Sequence, residues 1–430
     1  MLGITGRPDK ATMRGTREHN EHLVLATIHR AGRISRADVA RVTDLTRTTV
    51  STVVDALIAA GLCQEVGRGR STGGKAPTLI EVPAQARLLL GLDVGDRAFT
   101  AALVDLHGRI IDRVDVPSEG QDGQAALDLA MVMIDQLLAG VRGRVLGVGI
   151  GTPGLVNSSS GTIVQAAERR WQQVPLGPMV SERFGLPVYV VNDSQAAGVA
   201  VYALAPDLGR NVVTIKVGHG IGAGLVLNGA LLQGDPYGAG EIGHTVVDPN
   251  GERCRCGRYG CLETVASLRT VLAQLSTCLG HEVSLDEAVA RFVSGDPATC
   301  SVVVEAGRRL GTALAGLVGM LHVRRIVLAG TMTAFGQSWL DAVVASASRN
   351  AFGPLVDDTT FELSDIDNVV VLGSAALLLM RELGLDLRPV GESGRLAPVM
   401  PPLNVPVTPD RNNVFESSRA DPHRWAAADL

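Results

Sequence analysis

Aromatic side chains are scarce: seven Phe, four Tyr and three Trp make up 3% of 430 residues. Any large core must therefore be aliphatic, and an apolar content of 46% is ample for one. No apolar run reaches the length of a membrane span without a glycine or a charge breaking it, so no membrane association is expected. The opening residues are charged and lack the apolar stretch of a secretory leader, so a cytoplasmic, reducing setting is expected. There are only six cysteines, and in such a setting they are not expected to pair as disulfides. The length suggests two or three domains.

The net charge of −5 conceals an asymmetry. Residues 1–90 hold 13 Lys and Arg against 8 Asp and Glu; the remainder holds 26 against 36. A basic head on an acidic body implies that only the head meets a polyanion.

Three of the six cysteines fall within eight residues, Cys254, Cys256 and Cys261, and His244 precedes them by ten. Three thiolates and one imidazole complete a tetrahedral set for zinc, and four protein ligands leave no open position, so a structural ion is expected. Glu241 and Glu263 stand at the two ends of this stretch, which suggests that a closed metal site shapes a polar pocket. Cys63, Cys278 and Cys300 read as ordinary core cysteines.

Residues 17–83 have the pattern of a small DNA-binding domain. Residues 17–31 form an amphipathic pattern with Leu23, Leu25 and Ile28 apolar, ended by Gly32. Ser35 caps a second helix, with Asp38 in the third place of a capping box. Thr46 caps a third helix that runs through Ala60 and stops at Gly61. Two strands follow, 62–66 and 78–82, around a basic, glycine-rich segment. Three helices and a basic hairpin describe a winged helix-turn-helix whose third helix enters the major groove of double-stranded operator DNA. That helix offers Arg47, Thr48, Thr49, Ser51 and Thr52 to base edges and phosphates. The wing offers Arg68, Arg70 and Lys75, and a narrow minor groove attracts arginine. The plainer alternative is a small helical interaction domain with a solvated basic loop.

Residues 88–112 read as strand, glycine turn, strand, turn, strand, and residues 211–234 repeat that plan. A repeated meander suggests two lobes of similar topology with their first turns facing one cleft. Gly218, Gly220 and Ala223 match a loose dinucleotide fingerprint, which requires a helix next. The following residues alternate and turn at Asn228 and Gly229, as a hairpin does, and such a hairpin can still cradle phosphate with its N–H groups.

These features together resemble the ROK family (repressors, open reading frames and kinases), in particular the branch of xylose and N-acetylglucosamine repressors that carries a winged helix. The resemblance runs from about residue 17 to about 385. It rests on the head, on Gly147, Gly149, Gly151, Pro153 and Gly154, on Asn192 and Asp193, on the 218–224 loop, and on the 241–263 stretch. It implies an α/β body of the two-lobed actin-like, ribonuclease H-like, sugar kinase type with a structural zinc site. Residues 88–195 would form lobe 1, completed by about 371–385, and residues 196–370 would form lobe 2. It also implies a homodimer or homotetramer and a sugar or sugar-phosphate effector in the cleft. Matched by motif, Asn192 and Asp193 would bind sugar hydroxyls, Glu241 and Glu263 would accept from others, and Pro153 and Gly154 would line the pocket. His244 would ligate zinc and, in some members, reach the sugar. Asp193 would stand where the kinases have their catalytic base. Read alone, Asn192 and Asp193 are a turn after a strand, and the two glutamates are solvated loop acids.

The resemblance leaves a kinase and a regulator to be distinguished. ROK kinases open the body with an aspartate, glycines and a threonine around the nucleotide phosphates. This chain keeps Asp93 and Gly95 but has Asp96 and Arg97 in the places of glycine and threonine. A carboxylate repels phosphate, and side-chain bulk blocks close backbone approach. Ala329 and Gly330 depart from the usual glycine pair beside adenosine, and Glu168 departs from the small or amide residues usual before Trp171. These departures favour a sugar-responsive transcriptional regulator without catalytic activity, its Asp193 vestigial as a base. The alternatives are an active ATP-dependent sugar kinase carrying a DNA-binding domain and a constitutive DNA-binding protein with a dead pocket. Residues 1–16 are expected to be disordered and 386–430, rich in proline and charge, to be a flexible tail.

Overall fold

The structure, a computed structural model, describes residues 13–69, 76–118, 121–141, 144–205 and 209–387. Arg70, Lys75 and most of both expected tails lie outside the described residues.

The head consists of α1 (Met13–Ala31), β1 (Ile34–Ser35), α2 (Arg36–Thr43), α3 (Arg47–Ala59), β2 (Gln64–Arg68) and β3 (Thr78–Glu81). Its caps follow from the side chains. Ser35 Oγ accepts from the Asp38 backbone N–H at 3.2 Å and donates to Asp38 Oδ2 at 2.7 Å. Thr46 Oγ1 accepts from the Thr49 N–H at 3.1 Å. Each cap satisfies a backbone donor that the first helical turn leaves free. Val24, Leu25, Ile28, Val39, Val50, Val54 and Ile80 close an aliphatic core. Helix α1 begins at Met13, within the expected tail, and β1 adds an unforeseen third strand to the wing in the order β1-β3-β2.

Lobe 1 holds β4 (Leu88–Val94), β5 (Ala98–Asp105), β6 (Ile110–Pro117), α4 (Gly123–Leu138), β7 (Val145–Thr152), β8 (Leu155–Asn157), β9 (Thr162–Ala166), β10 (Trp171–Val174), α5 (Leu176–Phe184) and β11 (Val188–Asn192). Helix α6 (Asp193–Leu204) leads into lobe 2. There follow β12 (Val212–Val217), β13 (Ile221–Leu227), β14 (Ala230–Leu231), α7 (Glu263–Ala266), α8 (Leu268–Leu279), α9 (Leu285–Val293), α10 (Pro297–Leu321), β15 (Arg325–Ala329), α11 (Gly336–Asn350), α12 (Gly353–Asp357) and β16 (Thr360–Leu363). Helix α13 (Val369–Leu383) returns to lobe 1.

The two main sheets run β11-β7-β4-β5-β6 and β14-β13-β12-β15-β16. With the five strands of each sheet numbered among themselves in chain order, each sheet runs fifth, fourth, first, second, third or the reverse. In each, the first three strands are antiparallel and the first, fourth and fifth parallel. The repeated meander of the sequence is thus a repeated topology.

Glycine spacing explains how α6 and α13 pack between the sheets. A Cβ on Gly149 would stand 2.2 Å from the Ser374 carbonyl oxygen, and one on Gly151 2.3 Å from Val370 Cγ1. The alternating glycines of β7 are therefore the surface on which α13 lies. A Cβ on Gly198 would meet Gly224 Cα at 2.7 Å, so α6 touches the backbone of β13 in the same way. Any side chain at these positions would force the elements apart.

Head and body share one apolar cluster, in which the head core continues into Leu106, Leu385 and Leu387. Asp386 and Leu387, expected in the tail, are thereby held: Leu387 is fully buried and the Asp386 carboxylate pairs with Arg30 at 3.1 Å. His29 Nε2 meets the Asp386 carbonyl at 3.1 Å, and the His29 and His107 rings lie 5.4 Å apart. Burial, and then the neighbouring His107, lower the His29 pKa to about 4, with Arg30 acting in the same sense and Asp386 against it. A histidine held neutral in the fold stabilises it fully above its unfolded pKa, and that contribution is lost as pH falls from about 6.5 through 4. The loss amounts to about 3 kcal/mol by linkage over that interval. Thermal unfolding at pH 7 and pH 5 should show a fall in the wild type that is much smaller in His29→Phe. Equal falls in both proteins would remove His29 from the account.

Candidate functional site

A cavity of about 450 Å³ lies between the lobes. Lobe 1 contributes Asp96, Pro153, Gly154 and Glu168 to its wall, with Asn192 and Asp193 at the start of α6. Lobe 2 contributes Lys216, Gly220, Glu241, His244, Arg255 and Glu263. All seven residues matched to sugar binding in the sequence line this one cavity.

Their engagement differs. The Asn192 side chain caps α6, its Oδ1 accepting from the N–H groups of Ser194 at 2.9 Å and Gln195 at 3.2 Å. Its Nδ2 donates to the Gly154 carbonyl at 3.0 Å, so Asn192 fixes both α6 and the Pro153–Gly154 corner. Gly154 has φ +89°, and a Cβ there would stand 2.2 Å from the Gln165 carbonyl oxygen, which explains the glycine. Asp193 Oδ1 accepts from the Ser194 N–H at 2.7 Å, and its Oδ2 accepts from Lys216 Nζ at 2.8 Å.

Glu263 is buried, held by Arg269 at 3.1 Å, and its Oε2 faces the Ile221 N–H at 3.4 Å. A Cβ on Gly220 would come within 3.0 Å of that oxygen, and one on Gly222 within 2.3 Å of Ser194 Oγ. Part of the glycine content of the 218–224 hairpin therefore serves the close approach of Glu263 and Ser194. The hairpin continues as strand β13, as the alternation requires, and no helix follows it.

His244 has one ring nitrogen on each side of its duty. Nδ1 lies 3.6 Å from Cys254 Sγ, and Nε2 lies 3.7 Å from Glu241 Oε2. Cys256 Sγ and Cys261 Sγ are 3.6 Å apart, and the four donor atoms all lie within 4.8 Å of one another. A tetrahedral zinc with bonds near 2.3 Å to sulfur spaces its donors by roughly 3.8 Å, so this set fits the ion in both chemistry and spacing. Two segments are tied together there: Leu262 N–H donates to the Thr245 carbonyl at 2.8 Å, and Val247 N–H to the Gly260 carbonyl at 2.8 Å.

The sequence marks Glu168 only as a departure from the family pattern, and it gives no mark to Lys216, Arg255 or Arg269. Arg255, between two of the cysteines, reaches Glu168 of lobe 1 at 3.0 Å and ties the cysteine loop across the cleft. Burial, and then the nearby Asp96, push the Glu168 carboxyl up to about 8. Asp96 is held below its ordinary value although burial opposes this, because Glu168 donates to it and Lys216 attracts it. A lone lysine in a strand carries no motif, and cross-lobe ion pairs depend on the fold, so the sequence offered little to find them.

Among the other cysteines, Cys63 is buried and burial pushes its thiol up to about 12. Cys278 is a correction: it is exposed on α8, whose apolar stripe is carried by Leu268, Val271 and Leu275 instead. Cys300 is half-buried on α10. In the head, Arg47, Thr48 and Thr52 are exposed at the start of α3, Thr49 and Ser51 are half-buried, and Arg68 is exposed on the wing.

A two-lobed body with a polar interlobe cleft, joined to a winged helix, is the architecture of a sugar-kinase-like protein fused to a DNA-binding module. The chain belongs to the ROK family, whose profile matches residues 89–381, and residues 16–68 match the MarR family of winged helices. The xylose repressor of Caldicellulosiruptor bescii is 28% identical over 380 residues, 84% of this chain and 95% of that one. A ROK family transcriptional regulator, homologous to the Escherichia coli MLC protein, superposes with TM-score 0.73 at 27% identity, covering 86% of this chain and 96% of its own. A ROK family glucokinase from Streptomyces griseus, solved with glucose and AMPPNP, superposes at 0.62 with 27% identity and covers 67% of this chain and 98% of its own. Among the described residues, no helix is long and apolar enough to cross a membrane.

Proposed function

We propose that this protein is a sugar-responsive transcriptional regulator, a repressor, that binds operator DNA as a dimer and holds its effector sugar in the interlobe cleft. The observation that carries this reading is the joining, in one chain, of a carboxylate-lined cleft and a winged helix that exposes Arg47 and Thr48 at the start of α3. Carboxylates accept strongly from polyol hydroxyls. Asp193, Glu241 and Glu263 supply acceptors, with Asn192 and the Pro153–Gly154 corner positioning them and zinc on His244, Cys254, Cys256 and Cys261 bracing the loop that carries two of them. The relatives named as a repressor and as a transcriptional regulator match 84% and 86% of this chain, more than the body alone, which favours regulation over catalysis. Asp96 and Arg97 at the first turn of the body, and Lys216 bound to Asp193, work against the kinase alternative.

Coupling has a physical route. Helix α6 starts at Asp193 and packs along α13, which leads to Asp386 and Leu387 beneath the head. Sugar shifts the position of the heads only if it has different affinities for the DNA-bound and free arrangements. Selection from a random duplex pool should enrich a pseudo-palindrome bound through Arg47, Thr48, Thr49, Ser51 and Thr52, with Arg68, Arg70 and Lys75 on the flanking groove. Arg47→Ala should weaken that binding by about tenfold or more, as for a lost base or phosphate contact. Adding xylose, glucose or N-acetylglucosamine should release the wild type. A chain that shows no preference for any duplex would end this reading.

A further inference from the structure

Among the described residues, the cations in the cleft wall are Lys216 and Arg255, and both are already engaged. Lys216 Nζ donates to Asp193 Oδ2 at 2.8 Å, and Arg255 Nη1 donates to Glu168 Oε1 at 3.0 Å. Behind the wall, Arg269 is turned to Glu263 at 3.1 Å. The backbone donors that would suit an anion are occupied as well. At the start of α6 the Ser194 N–H donates to Asn192 Oδ1 and Asp193 Oδ1, and the Gln195 N–H donates to Asn192 Oδ1. A free helix N-terminus attracts phosphate, but this one is filled by protein oxygens. In the 218–224 hairpin the Gly218 N–H donates to the Gly220 carbonyl at 2.9 Å, and the Ile221 N–H faces Glu263 at 3.4 Å.

The Glu168–Arg255 pair crosses the cleft, and each partner is anchored in its own lobe. Next to Glu168, Arg169 is buried, donates to the Gln121 carbonyl at 2.9 Å and stacks over the Phe99 ring at 4.9 Å. Around Arg255, the Cys254 N–H donates to the Arg258 carbonyl at 2.7 Å and the Gly257 N–H to the Cys254 carbonyl at 3.0 Å, which makes a tight turn. Asp96 accepts a hydrogen bond from Glu168, so the two carboxyls together present one negative charge beside Arg255. The Glu168 side chain is only 18% exposed. Turning Arg255 towards a ligand would leave that group poorly solvated and without its partner, which is costly.

We propose that Glu168 is a specificity-determining residue: by holding Arg255 it leaves the cleft no free cation, so that the cleft takes an unphosphorylated sugar and rejects the phosphorylated form. The hydroxyls of a neutral sugar are donors and suit the carboxylates of Asp193, Glu241 and Glu263. A phosphate dianion would meet like charge and donors that are already filled. Given the cleft as the effector site, on which this rests, Glu168 narrows the effector to one chemical class.

Calorimetry on the zinc-loaded full chain compares xylose with xylose 5-phosphate, glucose with glucose 6-phosphate, and N-acetylglucosamine with its 6-phosphate. The free sugar of at least one pair should bind at least about tenfold more tightly than its phosphate. Glu168→Ala should narrow that preference by about tenfold, and Glu168→Gln, which keeps the shape, should move it the same way by less. Removing Arg255 as well, in Glu168→Ala with Arg255→Gln, should restore the preference, because the gain comes from the freed guanidinium. A phosphate that binds the wild type as tightly as its free sugar would overturn the proposal, as would an unchanged preference in both Glu168 variants. A wild type that binds no member of any pair sinks the effector reading, and inorganic phosphate then decides the proposal separately. It should raise the melting temperature of Glu168→Ala and leave the wild type and the double variant unmoved. Stabilisation of all three chains, or of none, would overturn the proposal.

Discussion

Asp193→Ala should abolish the response to sugar while leaving sugar-free DNA binding intact. The carboxylate sits at the cavity wall with Oδ2 held by Lys216 and Oδ1 by Ser194, so it presents its remaining acceptor directions to a ligand. A hydrogen bond to a charged group contributes about 1.5–3 kcal/mol, and leaving its partner buried without a mate adds to the loss. Sugar affinity should therefore fall on the order of a hundredfold, read by calorimetry. Asp193→Asn keeps the shape and one acceptor and should fall less. The DNA-binding face on α3 packs through Val50 and Val54 at the head end of the shared apolar cluster, while the hydrogen bonds of the Asp193 carboxylate go to Ser194 and Lys216, so the affinity for duplex in the absence of sugar should not move. An unaltered sugar response would sink the assignment of the cleft. Loss of an ATP-dependent phosphorylation in the same variant would restore the kinase alternative.

The legible parts of this molecule are those in which local chemistry dictates geometry. Ser35 and Thr46 announce their helices because a short hydroxyl side chain satisfies the same backbone donors wherever it precedes a helix. The two meanders are legible because turn glycines and alternation are local. The cysteine spacing is legible because few folds other than a metal loop bring three thiols so close. The misses are of a different kind. The Gly147, Gly149 and Gly151 pattern is visible, but the cause at Gly149 and Gly151, α13 lying on β7, is a contact across more than two hundred residues. Lys216 and Arg255 act only through partners that the fold delivers, Asp193 and Glu168. Cys278 was misassigned because one helical position is apolar or exposed according to a phase that a lone cysteine does not reveal.

Cys261→Ser should remove the metal and with it most of the sugar affinity, while head and body stay folded. Cys261 is fully buried, bridges to Val246 across the loop, and lies two residues before Glu263. A serine hydroxyl is a far weaker zinc ligand than a thiolate, and three remaining donors hold the ion less firmly. Without the ion, nothing balances the packing of three thiols and an imidazole, and the 241–263 loop loses its brace. Glu241 and His244 then loosen on one side, Glu263 on the other, and Arg255 loses its fixed reach to Glu168. The lobe 2 core around Leu310, Leu314, Trp339 and Val343 does not involve the cluster, so the loss is local. Zinc content measured by plasma emission should drop from one ion per chain to nearly none, and sugar affinity by on the order of a hundredfold, as when the support of a binding group is lost. Chelation of the wild type should give the same fall, and added zinc should reverse it there but not in the variant. Cys278→Ser, at an exposed cysteine outside the cluster, should change neither value. A metal-free wild type that binds sugar as tightly as the zinc-loaded protein would show that the loop holds its shape without an ion.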